Sequence, residues 1–237
     1  MVEATGTLSE VVEDLGRAIV LALAEEPRGL VCDLSAVHEG AERVAIEVLA
    51  TAGRHVRDWP GIPVVVSSHD SQLRSALAAD ALGAGLGVTA SLFSAVTAVL
   101  ATPVVDVARL RLAPHPTAPR AARDFVTRTL LCWRLGRVIP GASQVISDLV
   151  SRSAISAGTD IELSVAWDRE ALRLTVRDSG PGLPGQQSAP DLGARELALV
   201  ADLSRAFGVT PTAAGGKMVW AVLEAPKTLP VLGRMTS

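Results

Sequence analysis

Asp178-Ser-Gly180-Pro-Gly182 is where the residue types and spacing of this 237-residue chain come closest to chemistry. A carboxylate closes the alternating run Ala171 to Val176, and glycines follow it at every second position. Asp and Gly also build ordinary turns, so the segment alone is a weak signal. Other reactive types are dispersed. Cys32 and Cys132 lie in the apolar runs Leu30–Leu34 and Leu130–Trp133, while His38, His55, His69 and His115 are scattered. These positions give no zinc-ligand spacing. Both thiols are expected to be buried in a reducing compartment, so neither a metal enzyme nor a cysteine nucleophile is indicated. Gly83-Ala-Gly85-Leu-Gly87 leads into a strand rather than a helix, which argues against a phosphate loop. Trp59, Trp133, Trp167 and Trp220 are expected to pack in cores or at their edges rather than to stack on bases.

The elements that position these residues are bounded by composition. The length allows one large or two small domains, and 49% hydrophobic with 20% charged residues is far from the composition of disorder. A net charge of −3 gives no field suited to nucleic acid or an acidic membrane. No apolar run reaches the roughly 18 residues of a spanning helix. The acidic start Met1–Leu15 has no basic region before an apolar core, so no signal peptide is expected and a soluble, cytoplasmic protein is. Charge is unevenly shared: residues 1–103 hold 6 Arg/Lys against 13 Asp/Glu, and residues 104–237 hold 16 against 12. The sign changes beside the Pro-rich stretch of Pro103, Pro114, Pro116 and Pro119, which places a domain boundary there. Halves of opposite sign can attract, although charge alone fixes no contact. Twenty Arg against two Lys, with abundant Ala, Val and Leu, is the usage of a high-GC, actinobacteria-like genome.

Leu8, Val11, Val12, Leu15, Ile19 and Leu23 form a helical stripe over Leu8–Ala24. Short apolar runs at 29–34, 62–66 and 87–89 suit buried strands. Helices are expected at 44–56, 72–82 and 91–100. This alternation predicts a parallel or mixed sheet covered by helices. In the second half a strand at 109–113 precedes helices at 117–136 and 141–157. The first of these has Ala121, Phe125, Thr129 and Leu131–Trp133 among its apolar or small positions, and the second carries the stripe Val145, Leu149, Val150 and Ala154. Strands at 159–167 and 171–176, joined by Asp168-Arg-Glu170, read as an antiparallel hairpin. A helix at 193–207, a strand near Val209 and a strand at 218–223 complete the order.

Val31-Cys-Asp33-Leu-Ser35 followed by a loop and a helix resembles the STAS domain of anti-sigma-factor antagonists. In that family a Ser at the start of the next helix is phosphorylated by a partner kinase, and the gap-free match falls on Ala41-Glu42-Arg43-Val44, which lacks a hydroxyl. Glu42 is read as a solvated acid at a helix start, with mimicry of the phosphorylated side chain as the alternative. The resemblance also implies a domain that starts late, with room for one strand before the first helix.

Residues 105 to 225 resemble the GHKL-type ATPase fold, closest to the anti-sigma factor serine kinases. The pieces carrying the likeness are Ala118–Arg123 with Phe125, Ser147-Asp-Leu-Val150, Ala157-Gly-Thr159, Asp178-x-Gly180-x-Gly182 and Gly215-Gly-Lys-Met-Val-Trp220. The resemblance implies that Asp178 accepts from the adenine amino group while Gly180 and Gly182 admit the base and sugar. Gly193 would open a lid helix whose N–H groups cradle phosphate, and Lys217 counts among the nucleotide-binding residues. Asp148 takes the place of the general base, one methylene shorter than the family's Glu. The family's Mg²⁺-ligating Asn is here Arg152, whose guanidinium has donors and no acceptor. The lid-helix glycines are replaced within Ala194-Arg195-Glu196-Leu197, where Glu196 would repel phosphate by ~1 kcal/mol in water and by several at lower dielectric.

The expectation is therefore an α/β (α+β) protein in two degenerate parts. A STAS-like mixed sheet with helices spans 1–103, a GHKL-like α/β sandwich spans 104–225, and a loosely ordered tail spans 226–237. Base recognition is expected to survive in part, giving weak ATP or ADP binding without Mg²⁺. Either Arg152 stands in for the cation against phosphate, or the pocket is dead and only its outer surface is kept. The function implied is partner switching by protein binding, with a sigma factor, an anti-sigma factor or a STAS-domain antagonist, and with homodimerisation a further option. The alternatives are an active serine kinase using Asp148, and a self-associating scaffold using a sheet edge.

Overall fold

The computed structural model describes residues 1–38, 62–79, 86–103, 105–156, 158–180 and 198–224. Two sheets organise them. The first is parallel, in the order β1-β2-β3-β4, with β1 Val2–Thr7, β2 Leu30–His38, β3 Val64–Ser67 and β4 Leu86–Thr89. The second is antiparallel, in the order β5-β6-β7-β9-β8, with β5 Asp106–Leu112, β6 Ile161–Trp167, β7 Ala171–Asp178, β8 Ala206–Pro211 and β9 Lys217–Glu224. The architecture is thus mixed α/β with one sheet of each kind.

Six helices pack around them among the described residues: α1 Leu8–Ala24, α2 Ser71–Ala79, α3 Leu92–Ala101, α4 Ala118–Cys132, α5 Ile139–Ser156 and α6 Ala198–Leu203. Helix α3 lies on the outer face of the parallel sheet, where Ala95 and Val99 meet Val31 and Val65. Helices α4 and α5 cover one face of the antiparallel sheet, burying Val126, Leu130, Ile146 and Leu149 against Leu163, Val165, Leu174 and Val176.

Helix α1 is the shared layer. Val12, Leu15, Ile19 and Leu23 join one cluster with Cys32, Leu34, Val64 and Val66 of the parallel sheet and with Ala171, Met218, Trp220 and Val222 of the antiparallel one. Its C-terminal half, Ala18–Ala24, is apolar at all seven positions, and such a helix is stable only where it is surrounded. The acids Glu13 and Asp14 and Arg17 stay exposed on its N-terminal half.

The one strand for which the sequence leaves room before α1 is β1, paired parallel with β2. Other expectations change. Helix α4 ends at Cys132 rather than 136 because Arg134 adopts a left-handed φ of 61°, and Gly136–Val138 forms a separate 3-10 turn. Its buried stripe is Ala118, Ala122, Val126 and Leu130, one position from the face expected, and Leu131 is exposed. The helix expected at 193–207 is α6 where described, and Ala206 and Phe207 already belong to β8. Cys32 is buried as expected, whereas Cys132 is exposed. The proposed helix 44–56, Glu42, Arg43, Trp59, Gly182, Gly193, residues 194–197 and the tail 226–237 lie outside the described residues.

Candidate functional site

Strand β7 is the base of the site. Its side chains alternate, so Leu172, Leu174 and Val176 enter the helix-covered core while Arg173, Thr175 and Arg177 fall on the opposite face. Asp178 ends the strand in register with Ile161 on one side and Lys217 on the other. It is 1% exposed, and neither carboxylate oxygen accepts a hydrogen bond from the described residues. Lys217 Nζ lies 3.5 Å from Oδ2, so an ion pair rather than a hydrogen bond meets that oxygen among the described residues. A buried carboxylate without hydrogen bonds is costly to keep, which makes it an acceptor waiting for a donor.

The loop between β8 and β9 closes on this strand end. Gly215 has φ 86°, in the left-handed region that glycine enters without strain. At Gly216 a Cβ would stand 2.0 Å from the carbonyl oxygen of Asp178 and 2.9 Å from Cα of Ser179, so only glycine fits there. The amide of Ser179 donates to Thr159 Oγ1 at 3.2 Å, tying the segment after Asp178 to the turn before β6. Asp178 and Ser179, Thr159 and Gly216 are therefore brought together. Gly180 is buried.

On α5, one turn separates Asp148 from Arg152. Their side chains pair, with Arg152 Nε donating to Asp148 Oδ2 at 3.0 Å. Asp148 also lines an open cleft of about 460 Å³ between α4, α5 and α6, with Arg123, Ser143, Ser147, Ser151 and Leu199. Arg123 Nη1 donates to Ser147 Oγ at 2.7 Å within it. Asp178 and Lys217 are not among the described residues that line this cleft.

The donor sets can be tested against the groups they were expected to hold. A purine amino group fits Asp178, whose two buried carboxylate oxygens accept no hydrogen bond from the described residues. A hard cation does not fit Arg152, which brings positive charge and donors only, and which already engages the neighbouring carboxylate. Among the described residues no three His, Cys, Asp or Glu side chains gather as metal ligands. No described helix is long and apolar enough to cross a membrane. The Trp side chains pack: Trp133 and Trp167 stack with centroids 6.3 Å apart, and Trp220 is buried with Nε1 donating to Thr210 Oγ1 at 3.2 Å.

One polar cluster was not foreseen. Glu26, just beyond α1, inserts its carboxylate among Ser164, Thr175, Arg173 and Arg109 on the face of the antiparallel sheet turned toward α1. Burial pulls the Arg173 guanidinium below its ordinary pKa, while Glu26 and then Asp168 push it back up and Arg109 lowers it again. The signal available in the sequence was the placement of Ser164, Arg173 and Thr175 at alternate positions of a hairpin, beside an acidic pair that follows an all-apolar helix turn. No protein-family model matches the chain, and no curated protein matches it.

Proposed function

We propose that the chain is a regulatory protein of the partner-switching type, with a STAS-like first half and a GHKL-like second half whose nucleotide site has left phosphoryl transfer for binding. Its partners are proteins: a sigma factor, an anti-sigma factor or a STAS-domain antagonist. The observation that carries the reading is the contrast between Asp178, a buried carboxylate with no hydrogen bond among the described residues, and Asp148, whose carboxylate is engaged by Arg152 at 3.0 Å. A serine kinase needs a general base that is able to take a proton and a metal that neutralises the transferring phosphoryl group. Arg152 donates to the Asp148 carboxylate, so that oxygen is already engaged, and the guanidinium supplies no metal ligand. Asp178 keeps what base recognition asks for. The reading is a site that takes a purine nucleotide weakly, without Mg²⁺, and that transfers nothing.

Calorimetry with ATP and ADP, each with and without Mg²⁺, tests this on the native chain and on Asp178→Ala and Arg152→Asn. Weak binding that ignores Mg²⁺ and disappears in Asp178→Ala is the expected outcome. Magnesium-dependent transfer of the γ-phosphate to a serine of a STAS-domain protein, lost in Asp148→Asn, would replace this reading with the active kinase. Absence of binding in all three proteins would remove the nucleotide and leave a purely protein-binding module.

A further inference from the structure

The side chains of β7 point to two places at once. Asp178, at its end, is the candidate purine acceptor, and Arg177, one residue earlier, faces the end of α1. Arg177 Nη1 donates to Glu25 Oε2 at 3.0 Å, and its Nη2 donates to the carbonyl oxygen of Ala24. That carbonyl is one of the last-turn acceptors a helix leaves open at its C-terminus, where positive charge is also favoured. Two residues further back, Thr175 Oγ1 donates to Glu26 Oε1 at 3.1 Å, beside Ser164 Oγ, which lies 2.9 and 2.8 Å from the two carboxylate oxygens. Arg173 Nη2 lies 3.5 Å from Oε1 and Arg109 Nη2 lies 3.8 Å from Oε2. Glu26 reaches this cage with φ 49°, a left-handed conformation that a non-glycine residue holds only when its surroundings impose it. Three successive residues of α1's end thus grip three alternate residues of the strand that ends in Asp178.

We infer that Ala24–Glu26 is a positioning latch through which the first half of the chain sets the nucleotide affinity of the second. Locking Arg173, Thr175 and Arg177 on one face fixes the alternation of β7, and with it the placement of Asp178 on the other. The inference rests on the purine reading of Asp178. Coupling of this kind is reciprocal, so nucleotide at Asp178 holds the latch closed as strongly as the latch favours nucleotide.

The test uses full-length protein. Arg177 is 25% and Glu25 46% exposed, so changes there leave the core intact. ATP affinity is measured by calorimetry for the native chain, for Arg177→Glu, and for the charge-swapped pair Glu25→Arg with Arg177→Glu. Arg177→Glu is expected to weaken binding by about tenfold, within the range typical of coupled sites. The swapped pair is expected to recover most of it, which a general loss of stability would not produce. Hydrogen exchange of the 171–178 amides should accelerate in the single variant and return in the pair. Equal ATP affinity in the native chain and Arg177→Glu would overturn the latch and leave the purine site standing. A native chain that binds no ATP would overturn the purine reading, and the positioning role with it.

Discussion

Asp178 is buried without a hydrogen bond from the described residues, and an unsatisfied buried acceptor costs about 1–3 kcal/mol. Replacing it by Asn keeps the volume and removes the charge. Lys217 is 29% exposed, so its ammonium is already partly solvated. The expected result is a ligand-free Asp178→Asn protein that melts a few degrees higher, near the 2–4 °C per kcal/mol of a chain this size, together with lost nucleotide binding. A calorimetric scan reads the first and a titration the second; a lower Tm would mean the carboxylate serves the fold. Gly216→Ala should do the reverse. Its methyl group would land 2.0 Å from the Asp178 carbonyl, so strands β7 and β9 must part, at a cost of about 1–3 kcal/mol or more, read as a lower urea midpoint. The two cysteines offer a separate check. Burial pushes the Cys32 thiol up to about 12 against a small opposing pull from the N-terminal ammonium, and Cys132 is exposed. An Ellman titration of the native chain at pH 8 should find one fast thiol, with the second appearing on unfolding; two fast thiols would contradict the burial of β2. At this scale Asp178 was legible because a strand, a turn and two glycines framed it. Glu26 was not, because Glu25-Glu26-Pro27-Arg28 reads as a solvated loop until the face of the opposite sheet is known.

Elements were legible wherever one face decides their fate. Helix α5 and strand β6 bury the stripes that their periodicity gives: Val145, Leu149 and Val150 in one, Ile161, Leu163 and Val165 in the other. Helix α4 misleads because small residues populate two adjacent faces. Alanines at both 121 and 122 leave the choice to packing, which takes 122. Helix α1 holds the larger lesson. Its stripe is correct but incomplete, since Ala18–Ala24 is apolar all round and meets a sheet on either side. A residue there supports two interfaces. Ile19→Ala, at 0% exposure, should therefore cost in the upper part of the 2–5 kcal/mol range for buried large-to-small changes. Glu13→Ala, on the exposed N-terminal half, should stay within about 0.5 kcal/mol. Chemical denaturation of both variants checks the contrast. A cost for Ile19→Ala near that of Ile→Val, about 0.5–1.5 kcal/mol, would mean that one of the two interfaces is not packed.

At the scale of the whole molecule the opposite charges of the two halves acquire a place. The acidic first half presents Glu25 and Glu26, and the basic second half presents Arg109, Arg173 and Arg177. The sequence showed the asymmetry but not the address, because charge carries no register. The apolar cluster around α1 supplies that register. With a buried ionic cage inside a shared core, neither half can open without exposing the other, so the chain should unfold as one cooperative unit. Trp133, Trp167 and Trp220 all lie in the second half. With Trp59 replaced by Phe, fluorescence follows that half alone while far-UV circular dichroism follows all helices. The two urea curves should coincide, and should stay together at 1 M NaCl, because salt screens exposed pairs such as Arg111–Asp160 far more than a carboxylate 10% exposed. Glu26→Ala breaks the buried ion pair with Arg173, a loss of about 3–5 kcal/mol. If the interface is the hinge of stability, that single change lowers both curves together or splits them. Curves that are already separate in the native chain would mean two independent domains that merely touch, and would take the latch's leverage on Asp178 away.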